Sequence, residues 1–175
     1  MTMDILIAAT FLALLSIRLF TLSISIKNER VLKESGAKEY GKLNSKILMG
    51  MHVLFYIGSF SESVIKNIKF DNLALLGIGV YLFSMLALYM VIKDLGRLWT
   101  AKLILAKGHS LKKTAIFKYF RHPNYFLNVI PELISVALIF KSWYVFVVLF
   151  PIYLVSLVIR IAQEEKIMRQ HFKYY

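Results

Sequence analysis

LALLGIGVYLFSMLALYMVI, residues 73–92, is a run of 20 residues without a charge. A helix of about 20 apolar residues is long enough to cross the hydrocarbon core of a bilayer. The pattern recurs along the chain, since apolar blocks also cover residues 4–26, 47–65, 125–140 and 143–161. These blocks predict an all-α integral membrane protein with about five transmembrane helices.

The last two apolar blocks are shorter than a full span, and only Lys141 and Ser142 separate them. This spacing predicts a tight helical hairpin, with Tyr125 and Trp143 at the membrane interfaces, where aromatic residues are enriched. The sequence contains no linker-like segment rich in proline, glycine or serine. Residues 1–175 are therefore expected to form a single membrane domain.

The formal net charge of +12 is explained by topology rather than by nucleic-acid binding. Residues 27–46, residues 93–124 and the tail from Arg160 onward hold 18 of the 22 basic residues. Because cytoplasmic loops carry an excess of lysine and arginine, the amino terminus is predicted outside and the carboxyl terminus in the cytoplasm. The expected location is a bacterial inner membrane. Residues 27–46, which include Gly36 and Gly41, are expected to form a short interfacial helix and a turn.

The predicted spans contain the ionisable residues Arg18, His52 and Glu132. Charged residues in a span are costly unless paired, so a structural pair is the preferred interpretation, and a lining of the substrate tunnel is the alternative. Gly77 and Gly79 are expected to permit close helix packing. The absence of cysteine excludes thiolate chemistry and disulfides, and four scattered histidines predict no metal site.

Two polar motifs could carry chemistry at the cytoplasmic end. The first is RHPNY, residues 121–125, directly before an apolar helix, and the second is Arg160 followed by Glu164 and Glu165. A proline in the first helical turn is expected to leave the amides of residues 124–126 free. Taken separately, the first motif is more typical of a topology signal and the second of an interfacial ion pair between residues i and i+4.

Taken together, the two motifs resemble those of the isoprenylcysteine carboxyl methyltransferase family, over roughly residues 96–175. The resemblance implies S-adenosylmethionine as cofactor, in a cytoplasmic pocket formed by the loop after helix 3, the start of helix 4 and the carboxyl-terminal tail. By position in the family pattern, the implied cofactor-binding residues are Lys102, His109, Ser110, Leu111, Lys112, Phe117, His122, Pro123, Asn124, Tyr125 and Glu164. Phe117 and Lys102 depart from the family pattern, in which we expect tyrosine and glutamine.

The resemblance assigns Arg160 to the anionic group of the acceptor. The amino-terminal half, through Arg18, residues 28–30, residues 36–41 and His52, resembles a bacterial branch associated with O-methylation of polyketide alkylpyrones. The expected reaction is S-adenosylmethionine-dependent methylation of a carboxylate or pyrone oxyanion on a lipid-like acceptor in the bilayer. A prenylated thiol acid, another lipid phenol and a small thiol stay open as acceptors, as does the oligomeric state.

Two other functions compete with this prediction. Membrane reductases of the sterol-reductase type, which use NADPH, can also carry an Arg-His-Pro-Asn-Tyr turn, but the tail motif of Arg160 and Glu164 favours the methyltransferase. A non-catalytic membrane scaffold would explain the charges by topology alone. It would leave the grouping of His109, His122 and Glu164 unexplained.

Overall fold

The computed structural model describes residues 4–105 and 115–171. Its α-helices are α1 (Ile5–Glu34), α2 (Lys42–Ile65), α3 (Asn72–Leu95), α4 (Ala115–Tyr119), α5 (Ile130–Phe140) and α6 (Trp143–His171). A 3₁₀ turn, Gly96–Leu98, follows α3, and a π-helical turn, Asn124–Val129, leads into α5. Two short strands, β1 (Lys38–Tyr40) and β2 (Leu103–Leu105), pair as an antiparallel sheet in which Glu39 is opposite Ile104.

Four helices of the described chain are long and apolar enough to cross a membrane. These are α1, α2, α3 with its 3₁₀ turn, and α6, while the segment Asn124–Phe140 is a shorter apolar helix. Leucine, isoleucine and valine side chains are exposed on the outer faces of these helices, as expected where the surrounding solvent is lipid. The chain is therefore a multi-pass, all-α membrane protein, and the predicted fold class is confirmed.

The core lies where α1, α2, α3, α5 and α6 meet. Aromatic residues fill much of it, and the ring of Phe11 on α1 stacks on Phe60 of α2 with centroids 4.1 Å apart. Tyr81 of α3 and Phe140 of α5 are fully buried in the same cluster. Stacked rings stabilise a fold by more than the apolar area that they bury. These contacts therefore hold the amino-terminal part of α1 against the bundle.

Gly77 permits close packing between α3 and α5. A Cβ atom at Gly77 would lie 2.7 Å from Cγ1 of Ile139 and 3.0 Å from the carbonyl oxygen of Ser135. At Gly79, no atom of the described residues lies within 4 Å of such a Cβ. The predicted packing role is confirmed for Gly77 and wrong for Gly79, because Gly79 lies on the outer face of the helix.

The segment 27–46 differs from the prediction. It contains no separate interfacial helix, since α1 continues to Glu34 and is followed by a turn, strand β1 and the start of α2. Gly36 and Gly41 have φ angles of 80° and 56°, a left-handed conformation that glycine adopts without strain. At Gly41 a side chain would also overlap the amide oxygen of Gln163 on α6. The two glycines thus end α1 and begin α2.

A polar cluster lies within the bundle around Glu132, which is fully buried. Arg18 forms an ion pair with Glu132, and Tyr56 donates a hydrogen bond to the same carboxylate. Nε2 of His52 lies 3.3 Å from Oε1 of Glu132, and Nδ1 of His52 lies 3.4 Å from the hydroxyl of Tyr153. The predicted pairing of Arg18 within the bundle is confirmed, and the cluster around Glu132 joins α1, α2, α5 and α6.

Candidate functional site

The two sequence motifs meet at one end of the bundle, near the carboxyl-terminal part of α6. At 1.5 Å per residue, Arg160 lies about 26 Å and Glu164 about 32 Å from the start of α6. A hydrocarbon core is roughly 30 Å thick, so a helix that enters the core at Trp143 brings these residues close to its opposite boundary. His122 and Tyr125, at the start of the π-helical turn, lie beside them. The structure therefore brings the RHPNY motif and the Arg160–Glu164 motif together.

The π-helical turn shapes the first motif. Pro123 has helical backbone angles and begins the turn, and the carbonyl oxygen of His122 accepts hydrogen bonds from the amides of Tyr125 at 3.1 Å and Phe126 at 3.2 Å. The expectation that these two amides are free was therefore wrong. The helical geometry of Pro123 brings His122 into reach as the acceptor. Single π-helical turns within helices are frequent at functional sites.

The hydroxyl group of Tyr125 connects Arg160 to Glu164. It donates a hydrogen bond of 2.7 Å to Oε2 of Glu164 and accepts one of 3.2 Å from Nε of Arg160. Taken alone, the Arg160–Glu164 motif is typical of a direct ion pair between residues i and i+4 of α6. Instead, Tyr125 from the π-helical turn lies between the guanidinium and the carboxylate.

His122 is packed between aromatic and acidic groups, with 6% of its surface exposed. Its ring stacks on Tyr125, and its Nδ1 and Nε2 atoms lie 3.6 Å and 3.5 Å from the carboxylates of Glu164 and Glu165. Burial lowers the pKa of His122, but the two carboxylates outweigh burial and hold this pKa above its ordinary value of 6.5. Neither ring nitrogen has a hydrogen-bond partner among the described residues.

Arg160 is 4% exposed and is held by three helices or loops. Besides the bond to Tyr125, its Nη1 donates to the hydroxyl of Ser45 at 2.7 Å, and its Nη2 donates to the carbonyl oxygen of Ala101 at 3.2 Å. A guanidinium has five N–H donors, so these contacts leave two for a ligand. Neither Ser45 nor Ala101 was predicted from the sequence. For Ser45, the only indication in the sequence was its position among the inward-facing residues of α2. Ala101 contributes only its backbone carbonyl, which any residue type could supply.

The carboxyl-terminal end of α1 holds the segment 99–102, which precedes residues 106–114 in the chain. Asn28 donates to the carbonyl oxygen of Trp99 at 2.8 Å, and Ser25 accepts from the amide of Ala101 at 2.8 Å. Nζ of Lys102 lies 2.7 Å from the carboxylate of Glu29. Lys102, a predicted cofactor contact, is thus paired with α1. The role of Asn28 and Glu29 in this segment was not predicted.

The remaining residues that were predicted to bind the cofactor are not gathered in one place by the described structure. His109, Ser110, Leu111 and Lys112 lie outside the described residues. Phe117 packs on a small core formed by Leu88, Val91 and Trp99, and Pro123 is buried. The side-chain oxygen of Asn124 accepts a hydrogen bond of 3.3 Å from Asn128.

Comparison with known proteins identifies relatives along most of the chain. The model of the isoprenylcysteine carboxyl methyltransferase (ICMT) family matches residues 75–170. An uncharacterized protein of Haemophilus influenzae is 42% identical over 163 residues, which cover 93% of this chain and 95% of that protein. The uncharacterized protein YpbQ of Bacillus subtilis is 30% identical over 152 residues, which cover 86% of this chain and 89% of that protein. No solved structure matches the chain significantly. The chain belongs to the isoprenylcysteine carboxyl methyltransferase family of membrane methyltransferases.

Proposed function

We propose that this protein transfers a methyl group from S-adenosylmethionine to an oxyanion of a lipid-like acceptor, with an alkylpyrone as the preferred acceptor. The observation that carries the proposal is the contact chain from Arg160 through the Tyr125 hydroxyl to Glu164. It places a buried cation, suited to an anionic acceptor, next to carboxylates suited to a cationic donor. The whole arrangement lies at the inner membrane boundary.

The donor side of the site fits S-adenosylmethionine. The carboxylate of Glu164 can accept hydrogen bonds from ribose hydroxyls or from the ammonium group, and the ring nitrogens of His122, although close to two carboxylates, lack hydrogen-bond partners among the described residues. We assign His122, Pro123, Asn124, Tyr125 and Glu164 to the donor. When bound, the donor supplies an electrophilic methyl group on a sulfonium centre. The part of the pocket assigned to residues 109–112, with Lys102 and Phe117, stays a prediction.

The acceptor side is built around Arg160. Its planar guanidinium can donate two parallel hydrogen bonds, a geometry that matches a carboxylate or the oxygen pair of an ionised 4-hydroxy-2-pyrone. Because such an acceptor arrives ionised, the protein does not need a general base. Its contribution is to align the oxyanion with the methyl group and to exclude water, which the low exposure of Arg160 favours.

The membrane completes the proposed site. Both a prenyl chain and an alkyl chain are soluble in the bilayer, so the acceptor can keep its tail in lipid while its head reaches Arg160. The donor is water-soluble and would enter from the cytoplasm. We place the protein in a bacterial inner membrane, with the amino terminus outside and the carboxyl terminus in the cytoplasm.

The test separates donor binding from acceptor use. We expect S-adenosylhomocysteine, and not NADPH, to raise the thermal unfolding midpoint of the purified protein. Arg160→Ala should retain S-adenosylhomocysteine binding and lose methyl transfer to an alkylpyrone. Arg160→Lys should recover part of the activity, because lysine keeps the charge but cannot form the two-donor fork.

Thermal unfolding must show that both variants are folded. Stabilisation by NADPH alone would favour the reductase. Loss of S-adenosylhomocysteine binding in Arg160→Ala, or an unchanged rate of methyl transfer, would overturn the assignment of Arg160 to the acceptor.

A further inference from the structure

The orientation of Arg160 depends on α2, which precedes the family-matched residues 75–170. Ser45 lies in the first turns of α2 and is 2% exposed. Its hydroxyl accepts the hydrogen bond from Nη1 of Arg160 at 2.7 Å, the shortest of the three bonds that the guanidinium makes to described residues. A hydrogen bond from a charged donor is stronger than one between neutral groups, so this contact helps to fix the guanidinium.

The position of Ser45 is itself fixed by neighbouring contacts. Its amide donates to the carbonyl oxygen of Gly41, which begins α2 in a left-handed conformation. The preceding residue, Asn44, is buried and donates a hydrogen bond of 3.0 Å to the carbonyl oxygen of Ser156 on α6. Ser156 precedes Arg160 by one helical turn. The Ser45 hydroxyl is thus held against the α6 segment that carries Arg160.

We propose that Ser45 is a positioning residue, which holds the guanidinium of Arg160 in the orientation that receives the acceptor anion. This inference rests on the proposed function. With Nη1 and Nη2 tied to Ser45 and Ala101, the remaining N–H groups have a defined direction. Without Ser45, Nη1 loses its described partner, and the guanidinium can rotate about its last side-chain bonds. The two-donor fork of the guanidinium then takes several orientations, and only some of them match the two oxygens of the acceptor.

The test compares three substitutions on α2. Ser45→Ala removes the hydroxyl without adding volume, and Ser45→Thr keeps it. Ser59→Ala is the matched control, because Ser59 is a 0% exposed serine on the same helix, about four turns further along. Its hydroxyl has no hydrogen-bond partner among the described residues.

Three measurements are made on the full-length protein in detergent: the Nε–H signal of Arg160 by ¹⁵N NMR, the affinity for S-adenosylhomocysteine, and methyl transfer against acceptor concentration. The NMR signal is assigned by its loss in Arg160→Lys. Ser45→Ala should shift this signal, accelerate its hydrogen exchange and lower kcat/KM for the acceptor by about tenfold to a hundredfold, as expected for one charge-assisted bond. Donor affinity should stay the same.

Ser45→Thr should restore both the signal and the rate, and Ser59→Ala should change neither. An unshifted Arg160 signal in Ser45→Ala, or an equal loss of rate in Ser59→Ala, would overturn the proposal. The proposed function has a separate failure, which is the absence of S-adenosylhomocysteine binding by the unmodified protein. In that case the NMR comparison still decides whether Ser45 orients Arg160.

Discussion

At the scale of single residues, Tyr125 connects the two halves of the site. Its hydroxyl donates to the carboxylate of Glu164 and accepts from the guanidinium of Arg160, so neither charged group is fixed independently. The ring of Tyr125 also stacks on His122. Tyr125 therefore links the proposed acceptor-binding and donor-binding groups in one hydrogen-bonded chain.

Glu164→Ala should weaken S-adenosylhomocysteine binding by about 1–3 kcal/mol, because it leaves buried donors unpaired. Isothermal titration of the detergent-solubilised protein would measure the loss. Glu34→Ala is a suitable control, since Glu34 is an exposed carboxylate at the end of α1. Equal affinities of Glu164→Ala and the unmodified protein would remove Glu164 from the donor site.

The raised pKa of His122 predicts a pH dependence. Because the carboxylates of Glu164 and Glu165 raise this pKa above 6.5, the protonated ring stabilises the folded state fully below pH 6.5. This contribution is lost as the pH rises through the raised pKa. Glu164→Gln should lower the pKa of His122, which NMR of the imidazole carbons would follow. It should also reduce the loss of unfolding free energy that occurs as the pH rises. An unchanged titration of His122 in Glu164→Gln would contradict this account.

The residues of the site were predictable to different degrees. His122, Tyr125, Arg160 and Glu164 lie in two compact motifs that the sequence displays directly. Ser45 was not predictable, since a serine near a helix start has many roles and its partner is far away in the chain. Ala101 was invisible for a different reason, because any residue type can supply a backbone carbonyl.

At the scale of secondary structure, four of the five apolar blocks correspond to helices long enough to span a membrane, and the block 125–140 corresponds to the shorter apolar segment Asn124–Phe140. Their ends were less predictable, because α1 and α6 continue beyond the apolar blocks through charged residues, where hydropathy no longer marks a helix. The strands β1 and β2 have three residues each, too few for an alternating pattern to be recognised. The π-helical turn has no established sequence signature.

Gly77→Ala should destabilise the protein by about 1–3 kcal/mol, the usual cost of overpacking a tight interface. The added Cβ would meet backbone atoms of α5 at 3.0 Å, and backbone cannot move aside as a flexible side chain does. Gly79→Ala is the matched control on the same helix, where the added methyl group meets open space. Thermal unfolding of both variants in one detergent would measure the difference, and equal midpoints would contradict the assigned packing role.

At the level of the entire bundle, the candidate site draws on all of the long helices. The carboxyl-terminal end of α1 holds the segment from Trp99 to Lys102, α2 supplies Ser45, α3 leads into that segment, and α6 carries Arg160 and Glu164. The amino-terminal half therefore contributes contacts to the site as well as membrane spans. This arrangement supports the prediction that residues 1–175 act as one domain.

The predicted topology places the carboxyl terminus in the cytoplasm, because that orientation puts 18 basic residues on the inner side. A fluorescent reporter that folds only in the cytoplasm should be active when fused after Tyr175, and alkaline phosphatase at the same position should be inactive. Alkaline phosphatase inserted within residues 67–69, in the connection between α2 and α3, should be active. The reverse pattern would invert the molecule and move the site to the periplasm.

The π-helical turn limits how relatives of this protein can change in length. A π-helix closes its hydrogen bonds over five residues rather than four, so Asn124–Val129 contains an extra residue compared with an α-helical path. Loss of one residue here would let an ordinary α-helix run through, and would rotate everything before it by about 100° relative to α5. His122 and Tyr125 would then turn away from α6 while Glu132 kept its place beside Arg18. A relative that has lost this residue would retain all five residues of the RHPNY motif but would not form the site. The spacing between the motif and α5 is therefore as strong a constraint as the identity of the motif residues.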